Sequence, residues 1–105
     1  MITADDIKAY IDTAGADFSD IDFDSAIQIA YRRFRDLTGA ENIDETDPTV
    51  KKALILFAIT ELAGQVNLYW RGRENAEIIR TRDVAQEIER LLKIKSKPAM
   101  RFVPL

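Results

Sequence analysis

The stretch Asp47-Pro-Thr-Val-Lys-Lys-Ala-Leu-Ile-Leu-Phe-Ala-Ile-Thr-Glu-Leu-Ala-Gly-Gln-Val-Asn-Leu-Tyr-Trp70-Arg-Gly72 decides the fold. Asp47 is a good N-cap, and Pro48 suits a first helical turn, where its missing N–H costs nothing. From there to Gly72 no further proline intervenes and only Gly64 interrupts. The stretch predicts one helix over about 48–70, roughly six turns at 3.6 residues each. Its middle is apolar on every side, so other elements must wrap it.

Working outward, three shorter elements supply that wrapping. Thr3 with Asp5 and Asp6 reads as a helix start, with Ile7, Tyr10 and Ile11 on one face. Phe23, Ala26, Ile27, Ala30, Tyr31, Phe34 and Leu37 recur at helical spacing, preceded by aspartates in 20–24 and stopped by Gly39. Asp83 and Gln86 form a capping box ahead of the stripe Val84, Ile88, Leu91 and Leu92, predicting a last helix over about 83–94. Residues 71–82 read as a loop closed off by Gly72, the alternative being early turns of that last helix. The tail from Lys95 carries Pro98 and Pro104, and each discourages helix before it. No strand is required. The expectation is all-α: a small bundle around a long central helix, with a helical domain over 1–94 and an extended tail over 95–105.

The 105 residues suffice for one core, and 47% are hydrophobic, too many for a disordered chain. With neither cysteine nor histidine, the chain has no disulfide, no thiolate and no imidazole base or ligand. No apolar run approaches the roughly 20 residues that cross a bilayer. The opening Met-Ile-Thr-Ala-Asp-Asp lacks a signal-like pattern, which predicts a mature start and a cytoplasmic protein without membrane contact. Residues 1–47 carry 12 acidic and 4 basic side chains, whereas residues 48–105 carry 6 acidic and 11 basic. Either the charges decorate two solvated faces, or the acidic part of one copy meets the basic part of the next. Head-to-tail contact of the second kind closes into a ring where the rotation permits.

Few constellations carry chemistry. Asp20, Asp22 and Asp24 open like a calcium loop, but Ser25 stands at the turn glycine and Tyr31 at the bidentate glutamate. They read instead as helix-capping carboxylates. Tyr31-Arg-Arg-Phe-Arg35 interleaves bases with aromatics, yet at helical spacing it reads as core aromatics beside solvated arginines. Glu61 and Gln65 interrupt the apolar helix, where a glutamate more often pairs with a base than acts as an acid. No metal or cofactor set is visible, and an enzyme is not expected. Arg71, Arg73, Arg80 and Arg82 crowd one irregular segment with Trp70 at its entrance. They form either a solvated loop or a contact surface, since Arg and Trp dominate interface hot spots.

The order of segments then becomes familiar. A short Ile2-Thr-x-x-Asp-Ile-Lys-x-Tyr10 opening precedes an amphipathic helix ending Asp36-Leu-Thr-Gly39. Pro48-Thr-Val-Lys-Lys-Ala-Leu-Ile-Leu follows, then Tyr69-Trp-Arg-Gly-Arg-Glu74 and a closing Val84 to Leu92 stripe. This resembles the small head–tail connector (head-completion adaptor) proteins of tailed bacteriophages and prophages. The resemblance implies a structural virion subunit that forms a ring on the portal vertex, extends the DNA channel and offers a platform for tail attachment. Its implied partners are itself, the portal protein and a further connector or tail-completion protein, with DNA passing without specific binding. Its implied setting is the host cytoplasm during assembly, then the neck of the virion. The expected contact residues are Trp70, Arg71, Arg73, Arg80, Arg82, Met100, Arg101, Phe102, Val103 and Leu105. The competing readings are a small helical DNA-binding regulator and a scaffold subunit of a cellular assembly. Against the regulator, the connection after Gly39 is long for a helix-turn-helix, and the next helix is too apolar for a groove.

Overall fold

The structure, a computed structural model, describes residues 1–12, 21–72 and 77–95. Four helices carry it: α1 (Ala4–Lys8), α2 (Phe23–Thr38), α3 (Pro48–Ala63) and α4 (Thr81–Lys95). The described residues are mostly helical, and the β pairing among them is confined to isolated bridges. None of the described helices is long and apolar enough to cross a membrane.

Local chemistry sets most of the helix ends. At α1, Asp6 N–H donates to Thr3 Oγ1 at 3.3 Å while Thr3 N–H donates back to the Asp6 carboxylate at 2.9 Å, a reciprocal capping box. Asp22 caps α2 by accepting from Ser25 N–H at 2.9 Å, and Asp24 sits in the positive first turn. Gly39 ends α2 at φ 71°, a left-handed conformation that glycine adopts without strain, with its N–H on the Arg35 carbonyl at 2.7 Å. Asp47 caps α3 through Thr49 N–H at 2.9 Å, with Pro48 in the first turn.

The core follows from α3. Every residue in 53–59 is buried, together with Val50 and Leu62, so no face of the helix is left for water. Its principal neighbours are α2 and α4, and α1 makes a smaller contact. α2 contributes Ala26, Ile27, Ala30, Tyr31 and Phe34, while Val84, Ile88, Leu91 and Leu92 come from α4. The arginines beside Tyr31 and Phe34 are exposed, as helical spacing requires. Leu37 departs from the expected stripe. At the last turn of α2 it is 63% exposed, beyond the reach of α3.

Two boundaries differ from expectation. The central helix stops at Ala63 rather than near Trp70. Glycine costs a helix interior about 1 kcal/mol, and at Gly64 the chain tightens, with Gln65 and Val66 N–H both donating to the Leu62 carbonyl. Beyond it, Tyr69 and Trp70 are bulky, β-favouring types, and 68–71 find extended partners instead. Gly72 therefore ends no helix; at φ 83° it supplies a left-handed turn. At the other boundary α4 begins at Thr81, because the Arg80 carbonyl accepts from both Asp83 and Val84 N–H. Asp83 thus lies inside the first turn instead of capping it, and 81–82 belong to the helix rather than to the loop. The tail over 96–105 lies outside the described residues.

Buried Tyr31 ties the start of the chain to the α2–α3 connection. Its hydroxyl accepts from Ile2 N–H at 2.8 Å and donates to Glu45, which also lies 2.9 Å from the Met1 amine. Burial first, then the bond to Glu45, pushes the Tyr31 hydroxyl up to about 12. Glu45 is held below its ordinary value, first by the Tyr31 hydroxyl and then by the terminal amine.

Two predictions follow from this packing. Leu56, 2% exposed, should not tolerate Asp, because an unpaired buried charge is neutralised or expelled only by unfolding. Circular dichroism should show lost helix for Leu56→Asp and wild-type helix for Leu37→Asp; equal behaviour would refute the assigned core. For Tyr31→Phe, Ile2 N–H loses its acceptor, a cost of about 1–3 kcal/mol. The depressed Glu45 stabilises fully above its ordinary 4.5 and loses that as pH falls through its lowered value. The raised Tyr31 stabilises fully below 10.0 and loses that as pH rises towards about 12. Urea melts should therefore show the widest gap between wild type and Tyr31→Phe from pH 4.5 to 10.0, narrowing on both sides.

Candidate protein-interaction surface

Where α3 stops, three short segments pair side by side. The central one is 68–71. On one side Asp12 N–H donates to the Tyr69 carbonyl at 2.8 Å and Arg71 N–H to the Tyr10 carbonyl at 3.0 Å, framing the antiparallel bridge of Ile11 with Trp70. On the other, Trp70 N–H donates to the Glu77 carbonyl at 3.0 Å and Ile79 N–H to the Leu68 carbonyl at 2.8 Å, framing the bridge of Tyr69 with Ile78. The result is a three-segment ribbon, in the order 10–12, 68–71, 77–79. It joins the end of α1, the exit of α3 and the entrance of α4.

Alternation along this ribbon separates two faces. Leu68, Ile79 and Ile11 are buried, and Trp70 packs half-buried against the core beside them. The opposite face carries Tyr69 and Ile78, cross-strand partners that are 38% and 37% exposed; Val66, on the approach to the ribbon, is 41% exposed. Isolated exposed apolar side chains are ordinary on any protein. Here three of the five large exposed hydrophobics among the described residues share one short ribbon and its approach, the others being Met1 and Leu37.

The sequence-derived contact residues divide accordingly. Trp70, Arg71, Arg80 and Arg82 are brought to this end of the molecule, and the three arginines are exposed. Arg71 also fastens the ribbon, because its Nε donates to the Lys8 carbonyl at 3.1 Å and the Ile11 carbonyl at 3.2 Å. Trp70 serves the core more than the surface. Arg73, Met100, Arg101, Phe102, Val103 and Leu105 lie outside the described residues. Tyr69, Ile78 and Val66 were missed as surface candidates. For Tyr69 the signal was the period-two alternation of 68–71, which reading that stretch as helix concealed.

Beside the ribbon a cleft of about 470 Å³ opens between α1, α3 and α4, lined among others by Tyr10, Lys52, Leu56, Asp83 and Glu87. Lys52 Nζ lies 3.8 Å from Glu87 across it, and Arg90 Nε donates to the same carboxylate at 3.0 Å. The Arg90 hydrogen bonds chiefly, then the charges of Arg90 and Lys52, hold Glu87 below the usual carboxylate range. A carboxylate held so firmly ionised is poorly matched to proton transfer near neutrality. Glu61 also pairs with a base, Arg33, at 3.2 Å. No group of three or more potential metal-ligating side chains occurs among the described residues.

Two ion pairs cross between the halves of the chain: Asp6 with Lys51 at 3.8 Å, an acid of the first half with a base of the second, and Arg33 with Glu61, which crosses in the opposite sense. Comparison with models of protein families, with curated proteins and with solved structures found no match.

Arg71 offers a direct test of the ribbon. Arg71→Lys keeps the charge but loses the Nε geometry that serves two carbonyls at once. It should cost roughly 0.5–1.5 kcal/mol in urea unfolding and speed amide exchange at Asp12, whose N–H bonds to the Tyr69 carbonyl. Unchanged stability and exchange would show that the clamp contributes nothing.

Proposed function

We propose that the chain is a structural, non-catalytic subunit that assembles with copies of itself: a head–tail connector of a tailed bacteriophage or prophage. In this reading it forms a ring on the portal vertex, extends the DNA channel and presents a platform to a further connector or tail-completion protein. It acts in the host cytoplasm during assembly and afterwards in the virion neck. The helices form a small bundle around α3, and the tail beyond α4, over 96–105, reaches a neighbour or the portal.

The observation that carries the reading is the ordered resemblance of Ile2–Tyr10, Asp36–Gly39, Pro48–Leu56 and Val84–Leu92 to that family. Those segments coincide with the elements that make the helical fold. Thr3 caps α1, Gly39 ends α2 and Pro48 opens α3. The apolar ribbon face at Tyr69 and Ile78, with exposed arginines nearby, supports a role in protein contact rather than chemistry. The strongly acidic first half supports a channel surface that lets DNA pass without sticking, since phosphate binding needs clustered cations.

Native mass spectrometry of the chain, alone and with a candidate portal, tests this. The expected result is a closed oligomer that forms as concentration rises and a higher complex with the portal. A species that stays monomeric and ignores the portal at high concentration would sink the proposal. Salt-dependent binding to random duplex DNA would instead favour a regulator.

A further inference from the structure

Among the described residues the outer segment of the ribbon has an unpaired edge. Its inner hydrogen bonds use the Glu77 carbonyl and the Ile79 N–H, so in antiparallel geometry the N–H and carbonyl of Ile78 point the other way. Among the described residues neither group makes a hydrogen bond. Beside this edge the Ile78 and Tyr69 side chains are more than a third exposed. An open strand edge next to an apolar face is the arrangement that captures extended peptides. Main-chain bonds supply affinity, and alternate side chains supply specificity.

One segment of this chain has the matching chemistry. Residues 96–105 read Ser-Lys-Pro-Ala-Met-Arg-Phe-Val-Pro-Leu: apolar, β-favouring at Phe102 and Val103, with Lys97 and Arg101 and no acidic side chain. The edge is flanked by exposed Glu77 and Asp83 and equally by exposed Arg71, Arg80 and Arg82, so the apolar and β-favouring character of the tail, not its charge, makes the match. Pro104 is tolerated on an added edge strand, where a missing N–H can face solvent. Reach decides whose tail it is. The tail leaves the far end of α4, about 22 Å from the start of that helix at 1.5 Å per residue. Ten extended residues span at most about 33 Å. A tail folding back on its own chain would use most of that length in returning, leaving little to pair. A tail arriving from another copy has no such limit.

We infer that the Ile78 edge receives the C-terminal segment of a second copy of this chain as an added antiparallel or parallel strand, with its apolar residues seated against Ile78 and Tyr69. The inference rests on the self-assembly proposed above and names the contact that would build it.

The chain has no cysteine, so single thiols report contacts cleanly. Full-length Ile78→Cys is mixed in oxidised glutathione with full-length Val103→Cys, or with Gln28→Cys on the exposed face of α2 as control. The docked tail raises the local thiol concentration, so the Val103 pair should cross-link about tenfold faster or more than the control pair. Equal rates would overturn the inference. So would a double Ile78→Cys/Val103→Cys variant that closes within one chain at high dilution, because that assigns the edge to the chain's own tail. On the unmodified chain, exchange of the Ile78 amide should slow as concentration drives assembly; a concentration-independent rate counts against the inference. Native mass spectrometry separates the two levels. Oligomers without selective cross-linking leave the ring proposal standing and remove this contact, whereas a monomer at every concentration removes both.

Discussion

The structure depends on one requirement: a helix apolar around its whole circumference must be covered on every side. α3 is buried at every position from Ala53 to Ile59, and each fully buried Leu, Ile or Phe there is worth roughly 1.5–3 kcal/mol. α2 covers one flank and α4 another, while Ile7 of α1 and Leu68 and Ile79 of the ribbon complete the buried cluster. The other elements can be understood as walls around α3, each amphipathic because only one of its faces is needed.

The charged residues follow a different logic. The ion pairs among the described residues join partly exposed side chains, and such pairs contribute about 0–1 kcal/mol each. They do not hold the helices together against the entropy of the chain. Their weakness leaves the outer faces of α2 and α4 open to charge changes without loss of the fold. Lys51 meets Asp6 and Arg33 meets Glu61 because α3 packs against both α1 and α2.

Legibility in the sequence divides along locality. The ends at Thr3, Asp22, Gly39, Asp47 and Pro48 are set by residues within four positions of each other, so caps and breakers announce them. The end at Ala63 is different. Gly64 weakens the helix, but the residues after it leave helical geometry because Tyr10 and Asp12 offer hydrogen bonds from about sixty positions upstream, an arrangement that helical periodicity cannot register. The start of α4 moved for a related reason: a backbone carbonyl at Arg80, rather than the side chain of Asp83, collects the first N–H groups. The contact residues were legible by type but not by duty. Trp70 and Arg71 lie side by side in the ribbon, yet one packs against the core and the other clamps two carbonyls.

The same requirement that buries α3 determines where a partner can attach. A helix satisfies its own backbone, so α2 and α4 can offer a partner only side chains. Their outward positions are largely charged, as at Arg32, Arg35, Asp36, Glu89, Arg90 and Lys93. Desolvating such groups returns little affinity unless a partner pairs each one. The ribbon differs on both counts. At Ile78 it presents a backbone donor and acceptor, and at Tyr69 and Ile78 it presents apolar area already partly removed from water. Among the described residues only this end combines the two. It exists because Gly64 released the chain from the helix that organises everything else.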